Sequence, residues 1–231
     1  MSVGERRETF FMFPGAKERV VEDAKSAGIG QDMAVILHNR FKLIRTLGEG
    51  AQGRVYLAED TMSGARVVLK ELLLGKASDW KAVELFERES AILKNLNHPA
   101  IPAYIDAFHL DDGERIFLVQ EYIAGDNLEA LLEAGELFDE KVLRDFLRQI
   151  LDILDYLQRF SPPVVHRDIK PSNILRGSRG KYYLIDFGGV QLITQDRVGG
   201  STVVGTNGFM PPEQIIGRAT PASDEIGRAH V

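Results

Sequence analysis

The sequence predicts an α+β protein of two lobes, a five-stranded antiparallel sheet carrying one helix followed by a mainly helical half. Three observations carry this. Between Phe41 and Gln120 apolar residues alternate in short runs bounded by Gly, Ser-Gly or Asp-Gly turns, the period of half-buried strands. Within that stretch only Trp80–Asn95 places its apolar residues at helical spacing. Near residue 124 the pattern shifts from β to α, and a long amphipathic helix follows.

Bulk properties fit that class. A chain of 231 residues can bury one good core or two small lobes sharing a cleft. Hydrophobic residues at 44% and charged residues at 27% are ordinary for a globular protein. A net charge of -6 argues against a nucleic-acid binder, whose footprint is a basic excess. Without cysteine there is neither a disulfide framework nor a thiolate metal site, so any metal is held by oxygen. Phe10–Phe13 is too short for a signal peptide and is broken by Pro14-Gly15. No window reaches the roughly 18 apolar residues of a membrane span. These features predict a cytoplasmic protein with no membrane segment in this chain.

Residues 1–40 read as an N-terminal extension, with one short amphipathic helix from Ala16 to Ala27 stopped by Gly28. The strands Phe41–Leu47, Arg54–Glu59 and Arg66–Glu71 follow. Between the first two lies Gly48-Glu-Gly50-Ala-Gln-Gly53, a G-x-G-x-x-G. A dinucleotide site needs a helix after these glycines, whereas Arg54-Val-Tyr-Leu-Ala is a strand. The loop is therefore a hairpin flap over phosphates, or merely a flexible hairpin. Lys70 ends the apolar run Val67-Val68-Leu69; such a lysine is usually solvated, but one strand after the flap it can reach phosphates. In the helix Trp80–Asn95 the apolar positions are Val83, Phe86, Ile92 and Leu93. Glu89 lies one turn before Leu93 and is expected to pair with Lys70, in preference to Glu84, Glu87 or Glu71. His98-Pro-Ala-Ile-Pro ends the helix, and Tyr104–His109 and Ile116–Gln120 complete the sheet. Glu121–Gly125 is a linker, and a cleft between lobes is a favoured ligand site. Asn127–Leu132 and Glu140–Phe160 are the next helices.

Val164–Asn173 places a carboxylate (Asp168), an ammonium (Lys170) and an amide (Asn173) at one turn between apolar pieces. A polar turn is usually only a turn. Here H-R-D-x-x-x-x-N gives each group a distinct role, in which Asp168 orients an attacking hydroxyl, Asn173 holds magnesium, and Lys170 offsets phosphoryl charge. Downstream, Tyr182-Tyr-Leu-Ile-Asp186-Phe-Gly-Gly ends a strand on the second candidate magnesium ligand, Asp186, with glycines permitting a sharp turn. Gln191–Gly208 is polar, lacks periodicity and reads as a loop running into Gly205–Glu213.

In this order and spacing, the chain from Phe41 to Asp224 resembles a eukaryotic-type serine/threonine protein kinase, and is similar in its HPAIP and MPPEQ wording to bacterial, cyanobacterial relatives. The resemblance implies a bilobal protein-kinase-like fold and the cofactors ATP and Mg2+. It makes Gly48, Gly50 and Gly53 the phosphate flap, Lys70 and Glu89 the phosphate clamp, Asp168 and Lys170 the catalytic pair, and Asn173 and Asp186 the metal ligands. It assigns Gln120 as gatekeeper, Glu121 and Ile123 as backbone contacts to adenine, and Val55, Val68 and Leu175 as purine walls. Lys170 with Thr206 places the chain in the serine/threonine subclass, with a protein substrate and no nucleic-acid partner. Arg167 implies control by activation-loop phosphorylation, at Thr202 or secondly Ser201. Val68 where alanine is usual narrows the adenine pocket, and Pro211 and Gln52 are further departures.

The resemblance implies a lobe boundary at 121–125, a kinase domain over 41–224, and a further buried helix from Ser223-Asp224 onward. Instead Glu225–Val231 is polar and, back-translated, matches a common sequencing-library adaptor; it is expected to be a non-native tail. The catalytic loop would then lose its floor, an apolar patch would be exposed, and a C-terminal sensor or anchor would be missing. A nucleotide-binding pseudokinase or scaffold is the alternative function, disfavoured because no metal or base residue is missing. A small-molecule kinase is disfavoured by the intact Thr206 segment.

Overall fold

The computed structural model describes residues 35–50, 53–73, 80–110, 115–193, 205–206 and 208–229; the expected helix from Ala16 to Ala27, Gln52, Ser201 and Thr202 lie outside them. The strands are β1 (Ile36–Leu37), β2 (Phe41–Gly50), β3 (Gly53–Asp60), β4 (Arg66–Leu73), β5 (Tyr104–Leu110) and β6 (Arg115–Glu121), in the antiparallel order β1-β2-β3-β4-β6-β5. The sheet thus has six strands rather than the expected five. The extra strand pairs Ile36 with Lys42 and Leu37 with Phe41 across His38 and Asn39, whose φ angles are 49° and 53°. Two successive left-handed residues make the turn that matches strand twist, and His-Asn lacks the glycine that usually announces it.

Alternation along the strands divides the sheet into two faces. Phe41, Tyr56, Ala58, Val67, Leu69, Phe108, Phe117 and Val119 form one core. On the other face Leu72, Ile116 and Leu118 join Phe86, Ile92 and Leu93 of α1 (Trp80–Leu93) in a second core. Lys70 and Glu71, adjacent on β4, consequently project to opposite sides.

The second core continues into the other lobe. After β7 (Asp126–Asn127) come α2 (Leu128–Glu133), capped by Asn127 on Ala130 N, and α3 (Glu140–Gln158), capped by Asp139 on Val142 N. Such caps satisfy amide donors that have no partner within the helix. Phe146, Ile150, Ile153, Leu154 and Leu157 of α3 are buried in this core, so the lobes share apolar packing. The opposite stripe of α3, Leu143, Leu147 and Leu151, is 38–44% exposed. Two small antiparallel sheets position the polar loops: β7 and β10 (Tyr182–Leu184) flank β9 (Ile174–Arg176), and β8 (Val164–Val165) pairs with β11 (Gln191–Leu192).

The final elements are α4 (Pro212–Ile215) and α5 (Pro221–Ala229). α5 packs against β8, the strand that leads into the loop carrying Asp168. The helix runs through most of the segment read as a tail, and in its first turn Ser223 and Asp224 are 1% and 4% exposed.

Candidate active site

Three charged groups from separate elements meet at the cleft. Lys70 on β4 lies with Nζ 3.0 and 2.8 Å from the two Glu89 carboxylate oxygens and 2.7 Å from Asp186 Oδ1. Glu89 of α1 is 1% exposed, while Glu84 pairs with Arg88 and Glu71 faces the other core. Burial opposes charge on Lys70, but Asp186 and Glu89 together raise its ammonium above the ordinary lysine range. Lys70 holds the Asp186 carboxyl down to about 2. Burial pushes the Glu89 carboxyl up against the pull of Lys70. Two carboxylates around one ammonium leave a net negative charge, an arrangement that receives a cation.

Backbone geometry puts Asp186 there. It occupies the left-handed region (φ 59°, ψ 79°) at the end of β10 and caps the turn Phe187–Gly189. The positive φ thus falls on the aspartate itself. A Cβ at Gly188 would lie 3.2 Å from Lys70 Nζ and 3.3 Å from Asp186 Oδ1, so it would press on the ion pair, whose side chains would have to shift by a few tenths of an ångström. Beneath it, the buried His166 ring packs edge-on against Phe187 at 4.7 Å.

Asp168, Lys170, Asn173 and Thr206 form the second cluster. Thr206 Oγ1 donates to Asp168 Oδ1 at 2.8 Å and accepts from Lys170 Nζ at 2.6 Å, and Lys170 Nζ is also 3.0 Å from Asp168 Oδ2. Asn173 Nδ2 donates to the Asp168 backbone oxygen at 2.9 Å and to Oδ2 at 3.0 Å. Every polar atom of the Asp168 side chain is therefore oriented, and the carboxylate cannot swing without breaking several bonds. The clusters are joined through the main chain, since Ile185 N donates to Asn173 O at 2.9 Å.

Of the other candidate residues, Gly50 opposes Gly53, Gly48 opposes Val55, and Val55 opposes Lys70, so the flap hairpin leads directly to the lysine. Val68 pairs with Gln120 across β4 and β6, and Leu175, 6% exposed, lies in β9. Glu121 N donates to Ala103 O at 2.9 Å, and Ile123 follows in the linker. Arg167, 4% exposed, takes φ 67° and donates to Gly189 O at 2.5 Å and Gln191 Oε1 at 2.8 Å. Among the described residues its Nη2 has no hydrogen-bond partner. Burial, with Arg88 nearby, lowers its guanidinium to about 10.

Further residues support the loop from the C-terminal segment. Asp224 accepts from His166 N and Arg167 N, both at 2.7 Å, and Gln214 Nε2 donates to Arg167 O at 2.5 Å. Ser223 Oγ donates to Glu213 Oε1 at 2.8 Å. Gln214 lies in the MPPEQ wording and Ser223-Asp224 begins the buried helix that the resemblance implies, but the contacts themselves carry no sequence signal, because their partners are main-chain groups or residues elsewhere along the chain.

The donor set suits a hard cation. Asn173 commits its amide hydrogens to Asp168, which leaves its carbonyl oxygen for a metal. Asp186 is ionised and bonded to Lys70 through Oδ1. Among the described residues no three His, Asp or Glu side chains form a metal cage. Two protein oxygens fit an ion that keeps waters and phosphate oxygens in its shell.

A family profile for the protein kinase domain matches residues 41–227, and the chain belongs to that family. It is 38% identical over 209 residues to Serine/threonine-protein kinase PknA of Nostoc sp., covering 83% of this chain and 36% of that protein. Serine/threonine-protein kinase B of Synechocystis sp. is 37% identical over 204 residues, covering 81% of this chain and 35% of the relative. Aurora kinase of Schizosaccharomyces pombe is 35% identical over 178 residues, covering 77% and 48%. The chain thus spans little more than a third of the first two relatives. No helix among the described residues is long and apolar enough to cross a membrane.

Proposed function

We propose that this chain transfers the γ-phosphoryl group of ATP to serine or threonine hydroxyls of protein substrates, in the cytoplasm. The observation that carries this reading is the fixed Asp168 carboxylate, held by Asn173, Lys170 and Thr206, beside the Lys70–Glu89–Asp186 trio. Lys70, kept cationic by two carboxylates, binds phosphate oxygens beneath the flap formed by Gly48, Gly50 and Gly53. Gln120, Glu121, Ile123, Val55, Val68 and Leu175 line the nucleotide's base. Asn173 and Asp186 are the oxygens that would hold Mg2+, which when bound offsets phosphate charge. Asp168 receives the proton of the attacking hydroxyl as its oxygen bonds to the γ-phosphorus and the bond to ADP breaks. Lys170 neutralises charge on the transferring group, and the rate comes from positioning and electrostatics.

Phosphorylation of Thr202, or secondly Ser201, is the control this reading assigns to Arg167. The support is a buried guanidinium with one nitrogen unpartnered among the described residues. An unaltered activity and lag in Thr202→Ala would remove this control.

The reaction is tested by following label from γ-labelled ATP into a Ser/Thr-containing protein, wild type against Asp168→Asn. Transfer is expected to fall by about a thousandfold, with nucleotide affinity preserved. Equal transfer by the variant overturns the mechanism. Nucleotide binding by the wild type without any transfer would favour the scaffold reading.

A further inference from the structure

Glu71 is a buried carboxylate outside the catalytic clusters. Its side chain is fully buried, at the edge of the core formed by Tyr56, Leu69 and Phe117. A charge in such a place is costly unless it is paired and hydrogen-bonded. Here Tyr56 Oη donates at 2.7 Å and Arg115 Nε at 2.5 Å, and the Arg115 guanidinium also stacks over Phe117 at 5.1 Å. An apolar side chain would fill this edge without the desolvation penalty, so packing alone does not explain the residue.

What the carboxylate holds is the flap. Tyr56 and Arg54 belong to β3, the strand that leaves the glycine hairpin, and Arg54 stands opposite Glu71 in register. Arg54 Nε is 3.3 Å from Glu49 Oε1, which carries the connection to the incoming strand β2. The main chain of the same glutamate is also involved. A Cβ at Gly53 would fall 1.8 Å from Glu71 O, so the flap backbone rests directly on that carbonyl. Arg115, from β6, ties the assembly to a strand away from the flap.

We propose that Glu71 is a positioning residue that fixes the outgoing flap strand through Tyr56 and thereby sets nucleotide affinity; this rests on the phosphoryl-transfer reading of the cleft. Lys70 is the preceding residue but points to the other face, where Glu89 and Asp186 anchor it independently. Loosening Glu71 therefore acts on the flap and leaves the phosphate lysine in place.

The test compares wild type with Glu71→Gln, Tyr56→Phe and the double variant in two measurements. Amide hydrogen exchange over residues 53–57 of the nucleotide-free protein is expected to quicken about tenfold, while α3 is unchanged. In steady-state transfer the KM for ATP is expected to rise about fivefold with kcat within about twofold, and the double variant to be no worse than Glu71→Gln. Unchanged flap exchange, or a fall in kcat at constant KM, overturns the proposal. Should Glu71→Gln fail to fold, Tyr56→Phe, which loses one hydroxyl, decides by the same readings. Failure of the wild type to bind ATP would sink the phosphoryl-transfer reading and the affinity half of the proposal. The exchange data would still decide the structural half.

Discussion

Replacing Asp224 by asparagine tests how the catalytic loop is held. Asp224 is 4% exposed and accepts two main-chain hydrogen bonds of 2.7 Å, from His166 and Arg167. Asparagine offers one acceptor oxygen, and its amide group then faces the second N–H, which is left buried without a partner. A hydrogen bond to a charged group contributes about 1.5–3 kcal/mol, and stranding a buried donor costs about 1–3 kcal/mol. Burial raises the Asp224 carboxyl, so a neutral side chain recovers part of the desolvation cost. The net expectation is a loss of about 2 kcal/mol, or about 4–8 °C in Tm for a chain of this size. The loss should also reach the chemistry. Arg167, at φ 67°, is held between Asp224 on its N–H and Gln214 on its carbonyl, and Asp168 is the next residue. Relaxing that left-handed residue turns the Asp168 carboxylate, so kcat should fall more than nucleotide affinity. Thermal unfolding and steady-state transfer, with exposed Glu140→Gln as control, read both effects. A Tm within about 1 °C of wild type together with an unchanged kcat would refute the reasoning.

Two of the flap glycines should differ sharply. Gly53 has φ 136° and lies against Glu71 O, so Gly53→Ala should lower stability by about 2 kcal/mol or more in urea unfolding. A Cβ at Gly50 meets no atom within 4 Å among the described residues, so Gly50→Ala should cost below about 1 kcal/mol; equal losses would contradict this. Tyr56 supplies a pH dependence: burial, reinforced by the Glu71 hydrogen bond, pushes its phenol up to about 12. A folded-state pKa above the unfolded value of about 10 contributes stability that is complete below that pH and is lost as pH rises through the folded value. The Tm gap between wild type and Tyr56→Phe should therefore hold up to about pH 10 and shrink between about 10 and 12. A gap that stays constant through that window would show that Tyr56 ionises normally.

The cleft was legible because the proposed phosphoryl transfer asks for particular groups at particular places. Lys70, Glu89, Asp168, Asn173 and Asp186 each need one side-chain type at one place along the chain, so chemistry fixes both identity and spacing. Glu89 could be preferred over Glu84, Glu87 and Glu71 by its place one turn before Leu93, in the E-x-x-I-L context from Glu89 to Leu93. The extra strand β1 was hidden because its turn uses His38 and Asn39 in place of glycine. The supporting contacts of Asp224, Gln214 and Glu71 were hidden for a different reason. These residues bind main-chain groups or residues on other strands, and a backbone N–H exists at every position, so nothing in the partner's sequence marks the contact. Asp224 accepts from residues 57 and 58 positions earlier.

That distinction also says where the fold can yield. Lys70 and Asp168 are each held by several side chains within the cleft, so loss of one contact leaves others. The main chain carrying Arg167 and Asp168 depends on Asp224 and Gln214, and the flap strand depends on Glu71 and the absence of a Cβ at Gly53. Substitutions at the motif residues should remove chemistry from an otherwise folded protein. Substitutions at these supports should displace an intact set of catalytic groups, and the two classes separate in the ratio of lost kcat to lost stability.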